Sequence, residues 1–239
     1  MNYAVVLSGG TGTRLGLDIP KQYYKVNNKP IIGYVLDTLF SHKAIDGVVI
    51  VAGKEWQPFI EEEIALEDKF LGFAEPGENR QLSILNGLLL LEEHLMCEPD
   101  VNIGAACVLI QDSARPCTSS ELITSCLSLA EDEDGAMPVL PMKDTVYLSH
   151  TGTQIDGLLD RQKLYAGQAP ENFRFEKYLV ANKMLLPEKI FHINGSSEPA
   201  VLAGMKIKLV TGDEHNYKIT TEADLVRFCE QMEKALGEC

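Results

Sequence analysis

The sequence has little positive charge and no long hydrophobic run. Of its 239 residues, 21 are Lys or Arg and 35 are Asp or Glu, which gives a formal net charge of −14. Binding to nucleic-acid phosphates requires a basic face, so we expect no nucleic-acid partner. No apolar stretch approaches the roughly 20 residues that span a bilayer, and residues 1–6 lack the basic start of a secretory signal. We therefore expect no membrane partner and a cytoplasmic location.

Cysteine spacings typical of metal or redox sites are also missing. The six cysteines form no Cys-x-x-Cys pair and have no neighbouring histidine at a ligand spacing. Cys107 lies inside an apolar run, which predicts that it is buried. We expect reduced thiols rather than disulfides or zinc ligands, in keeping with a reducing compartment.

What the sequence does contain is the alternation of an α/β fold. Apolar residues make up 45% and charged residues 23% of the chain, which is typical of a globular protein large enough for one substantial core. Continuous apolar runs at residues 3–7, 47–52 and 107–110 predict strands buried on both faces, and residues 136–140 predict a further strand. Helical periodicity separates them, for example over residues 31–40 and 80–94. These patterns predict a doubly wound, mostly parallel, Rossmann-like sheet, in a single domain over residues 1–239.

The alternation is interrupted over residues 141–161. Two short strand patterns, residues 145–148 and 155–159, flank a polar stretch with a glycine, which predicts a β-hairpin. An isolated hairpin is barely stable in water, so we expect this arm to pack on a partner. A second copy of the chain is the partner we expect, which predicts a homodimer. After the arm the pattern predicts a helix over 174–185, a strand over 205–210 and a closing helix over 221–236.

A glycine-rich loop after the first predicted strand is the first candidate binding feature. Such a loop presents consecutive backbone N–H groups that can hold phosphate, and Arg14 and Lys21 add positive charge. Gly-Lys-Ser/Thr, which closes a Walker loop, is missing, and Gly10, Gly12 and Gly16 miss the dinucleotide spacing by one residue. A plain glycine-rich turn is the alternative. Ligands of doubly wound sheets lie at the carboxyl ends of strands, where this loop and the one after Ile110 are expected.

Six segments, in order along the chain, carry a resemblance. They are Gly9-Gly10-x-Gly12-x-Arg14-Leu15-Gly16 with Pro20-Lys21-Gln22, Arg80-x-x-Ser83-x-x-Asn86-Gly87, Asp112-Ser113-Ala114-Arg115-Pro116, Lys143-Asp144-Thr145, Arg161-x-x-Leu164-x-x-x-Gln168-Ala169-Pro170-x-x-Phe173, and Asn216-Tyr217-Lys218-Ile219-Thr220 with Asp224-Leu225. Together they resemble the sugar-phosphate nucleotidyltransferases. More narrowly, they resemble the cytidylyltransferases that act on 2-C-methyl-D-erythritol 4-phosphate or on ribitol 5-phosphate.

The resemblance implies transfer of CMP from CTP to a small polyol phosphate, with release of pyrophosphate and with Mg²⁺ or another divalent cation as cofactor. The implied catalytic cations at the α-phosphate are Arg14, Lys21 and Lys218. The implied nucleotide-binding residues are Leu7, Ser8, Gly9, Gly10, Gly12, Arg80 and Ser83. The implied acceptor-binding residues are Asp112, Arg115, Thr145 and Arg161, with Asp112 also a candidate metal ligand. In the family the arm crosses to the other subunit, so Thr145 and Arg161 would serve the neighbouring site.

Three positions depart from the family pattern. Gln111 stands where the family has His, which removes a proton-transfer role there and leaves hydrogen bonding. Residues 192–199 lack the family's acidic pair, and Ala169 replaces Thr. These changes lie on the acceptor side, so both acceptors stay open, and residues 164–168 look slightly more like the ribitol type. Another nucleotide and sugar-phosphate pair, or a CTP-binding protein without turnover, are the remaining alternatives.

Overall fold

The structure is a computed structural model that describes residues 1–10, 19–63, 68–98 and 102–237. Helices pack on both faces of a central sheet. The strands are β1 Asn2–Leu7, β2 Lys25–Val26, β3 Lys29–Pro30, β4 Gly47–Val51, β5 Phe70–Ala74, β6 Cys107–Asp112, β7 Gly135–Pro141, β8 Val146–Leu148, β9 Gly157–Leu159, β10 Tyr165–Gly167, β11 Glu171–Arg174 and β12 Ile207–Thr211. The helices are α1 Ile31–Ser41, α2 Gln57–Glu63, α3 Arg80–Cys97, α4 Ser120–Leu127, α5 Phe175–Lys183, α6 Glu198–Leu202 and α7 Glu222–Gly237.

The central sheet has the order β10-β7-β11-β6-β1-β4-β5, and β12 also pairs with β7. Strand β1 is parallel to β4 and to β6, and β4 is parallel to β5. Strand β11 runs antiparallel to both β6 and β7, and β10 runs antiparallel to β7. The α/β architecture with a mostly parallel sheet is therefore confirmed, with an antiparallel insertion on one side.

The first strand shows why the apolar runs become central strands. Side chains alternate between the two faces of a strand, so Tyr3 and Val5 enter one core and Ala4 and Val6 enter the other. The first core is covered by α3 and α5, and the second by α1 and α4. Because both faces of β1 are covered, residues 3–6 are all apolar, and the alternating pattern of a half-exposed strand is lost.

Side-chain caps fix where two helices begin. The hydroxyl of Ser119 accepts a hydrogen bond from the backbone N–H of Leu122 at 3.1 Å and so caps the N-terminus of α4. Asn79 caps α3 in the same way, and its Oδ1 accepts from Leu82 N–H at 2.7 Å. The cap at Asn79 also fixes the chain direction at the edge of the cavity described below.

The predicted hairpin is present. Strands β8 and β9 pair antiparallel with Val146 opposite Leu159. Its large apolar side chains face outward: Tyr147 is 55% and Leu158 is 68% exposed. The single-domain organisation and the pairing of two copies through this arm stay predictions.

Three strands of the sheet were not predicted from the sequence. β5 and β10 are short and contain glycine, and β11 has the mostly polar sequence Glu-Asn-Phe-Arg. Strand β11 is nevertheless buried, because β6 and β7 pair with it on both sides. A polar strand in this position is stable only when other elements supply hydrogen-bond partners, and sequence periodicity does not reveal such partners.

The structure also bears on the state of the cysteines and on membrane-spanning helices. The five cysteines within the described ranges are free, and Cys107 is buried as predicted. Within the same ranges, no helix combines the length and apolar character that crossing a membrane requires.

Candidate active site

A cavity of about 500 Å³ lies where β1 and β6 end. The start of the glycine-rich loop, the N-terminus of α3 and the segment before α7 form its other walls. Its lining residues are Leu7, Gly9, Gly10, Lys21, Gln22, Gly77, Glu78, Asn79, Arg80, Ser83, Asp112, Ser113, Ala114, Lys218 and Thr220. The cavity is thus at the carboxyl edge of the parallel strands, where ligands of such sheets bind.

Gln22 and Tyr23 hold the start of the glycine-rich loop in place. The side-chain amide of Gln22 donates to the backbone oxygens of Ser8 at 2.8 Å and Gly10 at 2.7 Å. The Tyr23 hydroxyl donates to the Ser8 oxygen and accepts from the Ser8 hydroxyl, both at 3.0 Å. With these carbonyl groups already bonded, the first turn of the loop is fixed before any ligand enters.

Asp112 is the centre of the site's charge arrangement. Its Oδ1 lies 3.0 Å from Nη2 of Arg80. Its Oδ2 lies 3.0 Å from Nζ of Lys218 and 3.4 Å from Nε of Arg115. One carboxylate therefore organises three cations that come from α3, from the turn after β6 and from the segment before α7.

Burial and the three cations act on the pKa of Asp112 in opposite directions. Burial of this side chain would raise the pKa, but Arg80, Lys218 and Arg115 hold it well below its usual range. The carboxylate is therefore ionised at every physiological pH. Three positive charges against one negative charge leave a local surplus of positive charge, although the chain as a whole is strongly acidic. Such a surplus favours binding of a polyanionic ligand.

A polar network positions the segment that carries Lys218. Arg115 Nη1 donates to the backbone oxygen of Asn216 at 2.6 Å, and the Asn216 side chain donates to the oxygen of Ala169 at 2.7 Å. Lys21 reaches the same segment and donates to the oxygen of Ile219 at 2.5 Å. The two lysines predicted to act on the α-phosphate thus lie on one wall of the cavity.

Gln111 takes part in this network as a hydrogen-bonding residue. It is fully buried. Its amide donates to the hydroxyl of Thr118 at 2.9 Å, and that hydroxyl also lies 2.9 Å from Asn216 Oδ1. The position that departs from the family's His is therefore linked to the Lys218 segment through hydrogen bonds alone.

Ser83 shapes the opposite wall. Its hydroxyl accepts from the backbone N–H of Gly77 at 3.0 Å and donates to the oxygen of Asn79 at 2.9 Å. These two bonds hold the turn at residues 77–79, which lines the cavity together with Gly9 and Gly10 at the start of the glycine-rich loop. The predicted nucleotide-binding role of Ser83 is compatible with this position and stays a prediction.

Glu171 is a buried carboxyl behind the cavity that the sequence analysis did not identify. It lies on β11, and the hydroxyl of Ser196 donates to its Oε1. Burial raises the pKa of Glu171 to about 7, although Ser196 and Arg80 act to lower it. Ser196 belongs to residues 192–199, which lack the family's acidic pair. The carboxyl that contacts this segment comes from β11.

The structure brings most of the predicted site residues together and leaves others apart. Eight of them line the cavity: Leu7, Gly9, Gly10, Lys21, Arg80, Ser83, Asp112 and Lys218. Ser8 is buried beneath the loop, and Arg115 lies behind Asp112. Gly12 and Arg14 lie outside the described residues. Thr145 and Arg161 are exposed at the base of the arm, where Arg161 donates to the oxygen of Lys143 at 2.8 Å.

Several lining residues had no assigned role in the sequence analysis. Gln22 was part of a quoted motif, and its two bonds to the loop explain why an amide is needed there. Glu78 and Asn79 line the cavity beside Arg80, and they come directly before the helix predicted over residues 80–94. Glu171 gave no signal, because a single acidic residue in a polar stretch normally indicates a solvated surface.

The described side chains do not form a metal site by themselves. Within the described ranges, no group of three or more His, Cys, Asp or Glu residues is close enough to hold a metal ion. Both carboxylate oxygens of Asp112 already contact cations. This arrangement favours a role for Asp112 in positioning cations over the candidate role as a metal ligand.

Comparisons with known proteins address the family. The sequence profile of the family described as IspD, 2-C-methyl-D-erythritol 4-phosphate cytidylyltransferase, matches residues 2–233. The 2-C-methyl-D-erythritol 4-phosphate cytidylyltransferase of Lachnospira eligens is 31% identical over 231 residues, which cover 94% of this chain and 96% of that protein. The ribitol-5-phosphate cytidylyltransferase of Lactiplantibacillus plantarum is 26% identical over 228 residues, with 94% and 95% coverage.

A solved structure supports the fold independently. The 4-diphosphocytidyl-2C-methyl-D-erythritol synthase of Anaerococcus prevotii superposes with a TM-score of 0.80 at 22% identity, over 97% of this chain and 96% of the other. At this identity the likeness concerns the fold. The sequence profile, the relatives along the full chain and the cation-lined cavity agree, and the chain belongs to the 2-C-methyl-D-erythritol 4-phosphate cytidylyltransferase (IspD) family.

Proposed function

We propose that this protein transfers CMP from CTP to a small polyol phosphate, releases pyrophosphate and forms a CDP-linked polyol. The observation that carries the proposal is the convergence of Lys21, Arg80 and Lys218 on one cavity beside the fixed start of the glycine-rich loop. In a chain with 14 more acidic than basic residues, such a convergence of cations is a built polyanion site. Because the chain belongs to a cytidylyltransferase family, we infer that the polyanion is CTP.

The reaction needs positioning and charge stabilisation rather than a covalent intermediate. A phosphate oxygen of the acceptor attacks the α-phosphorus of CTP, a new P–O bond forms and pyrophosphate leaves. Negative charge spreads over the phosphoryl oxygens in the transition state, where fixed cations stabilise it best. Lys21 and Lys218 would supply this charge, and Arg14, which follows the described part of the loop, is the third residue proposed for it.

The hydrogen bonds around the cavity would reduce the reorganisation that the reaction needs. Lys218 is held by Asp112, and Lys21 is held by the Ile219 backbone. The Ser8–Gly10 backbone is fixed by Gln22 and Tyr23. Groups that are already oriented stabilise a transition state without first having to move, which is the main advantage of an enzyme site over water. We propose that Mg²⁺ or another divalent cation enters with CTP, bound to its phosphates.

Two acceptors remain candidates, and each has its own support. The family profile and the relative at 31% identity are named for 2-C-methyl-D-erythritol 4-phosphate. The relative at 26% identity is named for ribitol 5-phosphate, and residues 164–168 resemble that type. Asp112 would contact the acceptor from within the same chain, and Arg115 behind it would hold its carboxylate in place.

We propose that the working unit is a homodimer joined through the β8–β9 arm. The exposed apolar side chains of the arm, among them Tyr147 and Leu158, would be covered by the second copy. Thr145 and Arg161 lie on the arm and its base, away from the cavity lining of their own chain. In a dimer they would bind the acceptor phosphate at the partner's cavity.

The experiment that tests this function is pyrophosphate release from CTP and Mg²⁺ with each acceptor offered separately. We expect release with one of the two polyol phosphates and none without an acceptor. UTP and GTP, offered in place of CTP, test nucleotide choice. CTP binding without turnover on either acceptor would contradict the proposal and favour a CTP-binding protein without catalysis.

A further inference from the structure

Glu171 is a buried ionisable group that the proposed reaction does not use. It lies on β11 directly opposite Ile110 of β6, two residues before Asp112 on that strand. Its side chain is 8% exposed. Carboxylates are rarely buried to this extent without a paired cation, so its environment should reveal a role.

The two oxygens of Glu171 have different surroundings. Oε1 accepts a hydrogen bond from the Ser196 hydroxyl. Oε2 is buried and has no hydrogen-bond partner among the described residues. An ionised carboxylate with a bare oxygen is costly in a low-dielectric interior, whereas a protonated carboxyl leaves only a neutral hydroxyl there. The geometry around Oε2 therefore favours the protonated form of Glu171.

Charged and titratable groups act on Glu171 from every element around it. Arg80 of α3 and Arg115 of the turn after β6 favour its ionised form, and Asp112 of β6 opposes it. Tyr178 of α5 and Cys126 of α4 are neutral neighbours, and the negative charge of Glu171 contributes to the raised pKa of each. Arg80 is the cation that connects Glu171 to the cavity, because it also lines the wall and binds Asp112.

An anion that enters the cavity changes this balance. The guanidinium of Arg80, which binds Asp112 and acts on Glu171 only through its charge, would then also bind the incoming phosphates, and the negative potential at Glu171 would increase. An added negative charge nearby disfavours the ionised form of a carboxyl. We propose that Glu171 binds a proton when a nucleotide enters the cavity, and that it thereby acts as a positioning residue that leaves Arg80 to the nucleotide phosphates.

This inference rests on the proposed function only in naming the nucleotide as CTP. It makes proton uptake a measurable part of binding. Without a bound nucleotide, burial raises the pKa of Glu171 to about 7. If the nucleotide raises it by one unit, about half a proton is taken up per bound nucleotide at roughly pH 7.5. The affinity for CTP should correspondingly weaken by up to about tenfold as pH rises past both values.

The experiment is isothermal titration calorimetry of the full chain with CTP and Mg²⁺, in buffers of different ionisation enthalpy. Glu171→Gln keeps the shape of the side chain and its contact with Ser196 but cannot titrate. We expect this variant to take up about half a proton less than the wild type at roughly pH 7.5 and to lose that part of the pH dependence of affinity. Comparing the two proteins cancels the protons that CTP itself exchanges.

Two further variants separate titration from structure. Glu176→Gln removes an exposed carboxyl on α5 and should leave proton uptake unchanged. Ser196→Ala removes the hydrogen bond that favours ionised Glu171, so the pH range of uptake should move upward. Should Glu171→Gln fold poorly, the upward movement in Ser196→Ala provides the test on its own. Equal uptake by the wild type and by a folded Glu171→Gln variant, or an unmoved range in Ser196→Ala, overturns the proposal.

Inorganic pyrophosphate serves as a second probe that is independent of the assigned substrate. Proton uptake that depends on Glu171 with pyrophosphate, but no binding of CTP, would support the proton coupling and contradict the proposed function. CTP turnover with equal proton uptake by the wild type and Glu171→Gln would support the proposed function and contradict the proton coupling. If neither anion binds the wild type, both proposals fail.

Discussion

The ammonium of Lys218 lies 3.0 Å from Oδ2 of Asp112 and ties the segment before α7 to the end of β6. Arg80 holds the other oxygen of the same carboxylate at 3.0 Å. Two walls of the cavity are therefore joined through one side chain that is itself buried. Asp112 fixes where the cations lie, so we expect its loss to affect stability and activity together.

Asp112→Asn should destabilise the protein and lower activity. The amide cannot neutralise three cations, and breaking a buried pair costs about 3–5 kcal/mol. We expect the lower end of that range, since Arg80 and Lys218 are each about one-third exposed. The pKa of Asp112 is lower in the folded than in the unfolded chain. Its stabilisation is therefore complete above the unfolded pKa and is lost on acidification.

Urea unfolding of the wild type and of Asp112→Asn, at neutral pH and at about pH 3, measures both effects. The matched control is Asp132→Asn, which breaks an exposed pair with Lys206 and should cost less than about 1 kcal/mol. Equal costs for the two substitutions would show that Asp112 does not organise the site.

Much of the site could be predicted because the chemistry that binds anions is local in sequence. Lys21, Arg80 and Lys218 each lie in a motif with glycine, serine or asparagine at set spacings, and each motif falls at the end of a predicted element. The apolar runs of β1, β4 and β6 predicted the strands that bring these ends together. Strand order and the antiparallel insertion of β11 depend on contacts between distant segments, which periodicity does not encode.

Glu171 illustrates the limit of sequence analysis most directly. Neighbouring residues give no sign that it is buried, since Ser196, Arg80 and Tyr178 approach it from other elements. Its properties follow from burial and from charges that are remote in sequence. Gln22 is an intermediate case, because its motif marked the position but only the structure shows the two carbonyl groups that it binds.

Two adjacent glycines of the loop should respond differently to a methyl group. A Cβ on Gly9 would lie 2.4 Å from Cβ of Pro76, so the loop or the proline must move. A Cβ on Gly10 would meet no atom of the described residues within 4 Å. We expect Gly9→Ala to destabilise by about 1–3 kcal/mol and Gly10→Ala to stay within about 0.5 kcal/mol of the wild type.

Gly10 lines the cavity, so its added methyl group should instead raise KM for CTP. Thermal unfolding and steady-state kinetics of the two variants separate these effects. Neither glycine has a positive φ, so backbone strain does not confuse the comparison. A stable Gly9→Ala variant would mean that Pro76 is free to move away.

Arg161 should act on the cavity of the other subunit. Lys21→Ala and Arg161→Ala should each nearly abolish activity in homodimers. When they are combined as a purified heterodimer, one site carries both substitutions and the other carries neither, so about half of the wild-type activity should return. Differently tagged chains allow this heterodimer to be isolated, and light scattering gives its mass.

The control heterodimer pairs Lys21→Ala with Lys163→Ala, a substitution of an exposed lysine beside Arg161. It should also retain about half of the activity, because one of its two sites is intact. If Arg161 serves its own chain, the Arg161→Ala heterodimer stays inactive while the control remains active. A monomeric mass would contradict the arm's role altogether.

The stability of the protein should fall as pH rises from about 4.5 to 7, because of Glu171. Burial raises its pKa to about 7 in the folded chain, above the ordinary value of 4.5 that the unfolded chain retains. Between these values the folded state binds more protons than the unfolded state, so raising pH favours unfolding. The free energy of unfolding therefore changes with pH in the opposite direction to the change caused by Asp112, whose stabilisation is lost as pH falls. The two residues act in separate pH ranges.

Glu171→Gln should remove this slope, because the amide stays neutral in both states. Each pH unit between the unfolded and folded pKa corresponds to about 1.4 kcal/mol, so the variant should gain about 2.5 kcal/mol relative to the wild type between roughly pH 5 and pH 8. Urea unfolding at both pH values measures the gain, and Glu176→Gln, an exposed carboxyl on α5, should show none. A constant difference between the wild type and Glu171→Gln at both pH values would mean that Glu171 does not titrate in this range, and the burial of its bare Oε2 would then need a bound partner to explain it.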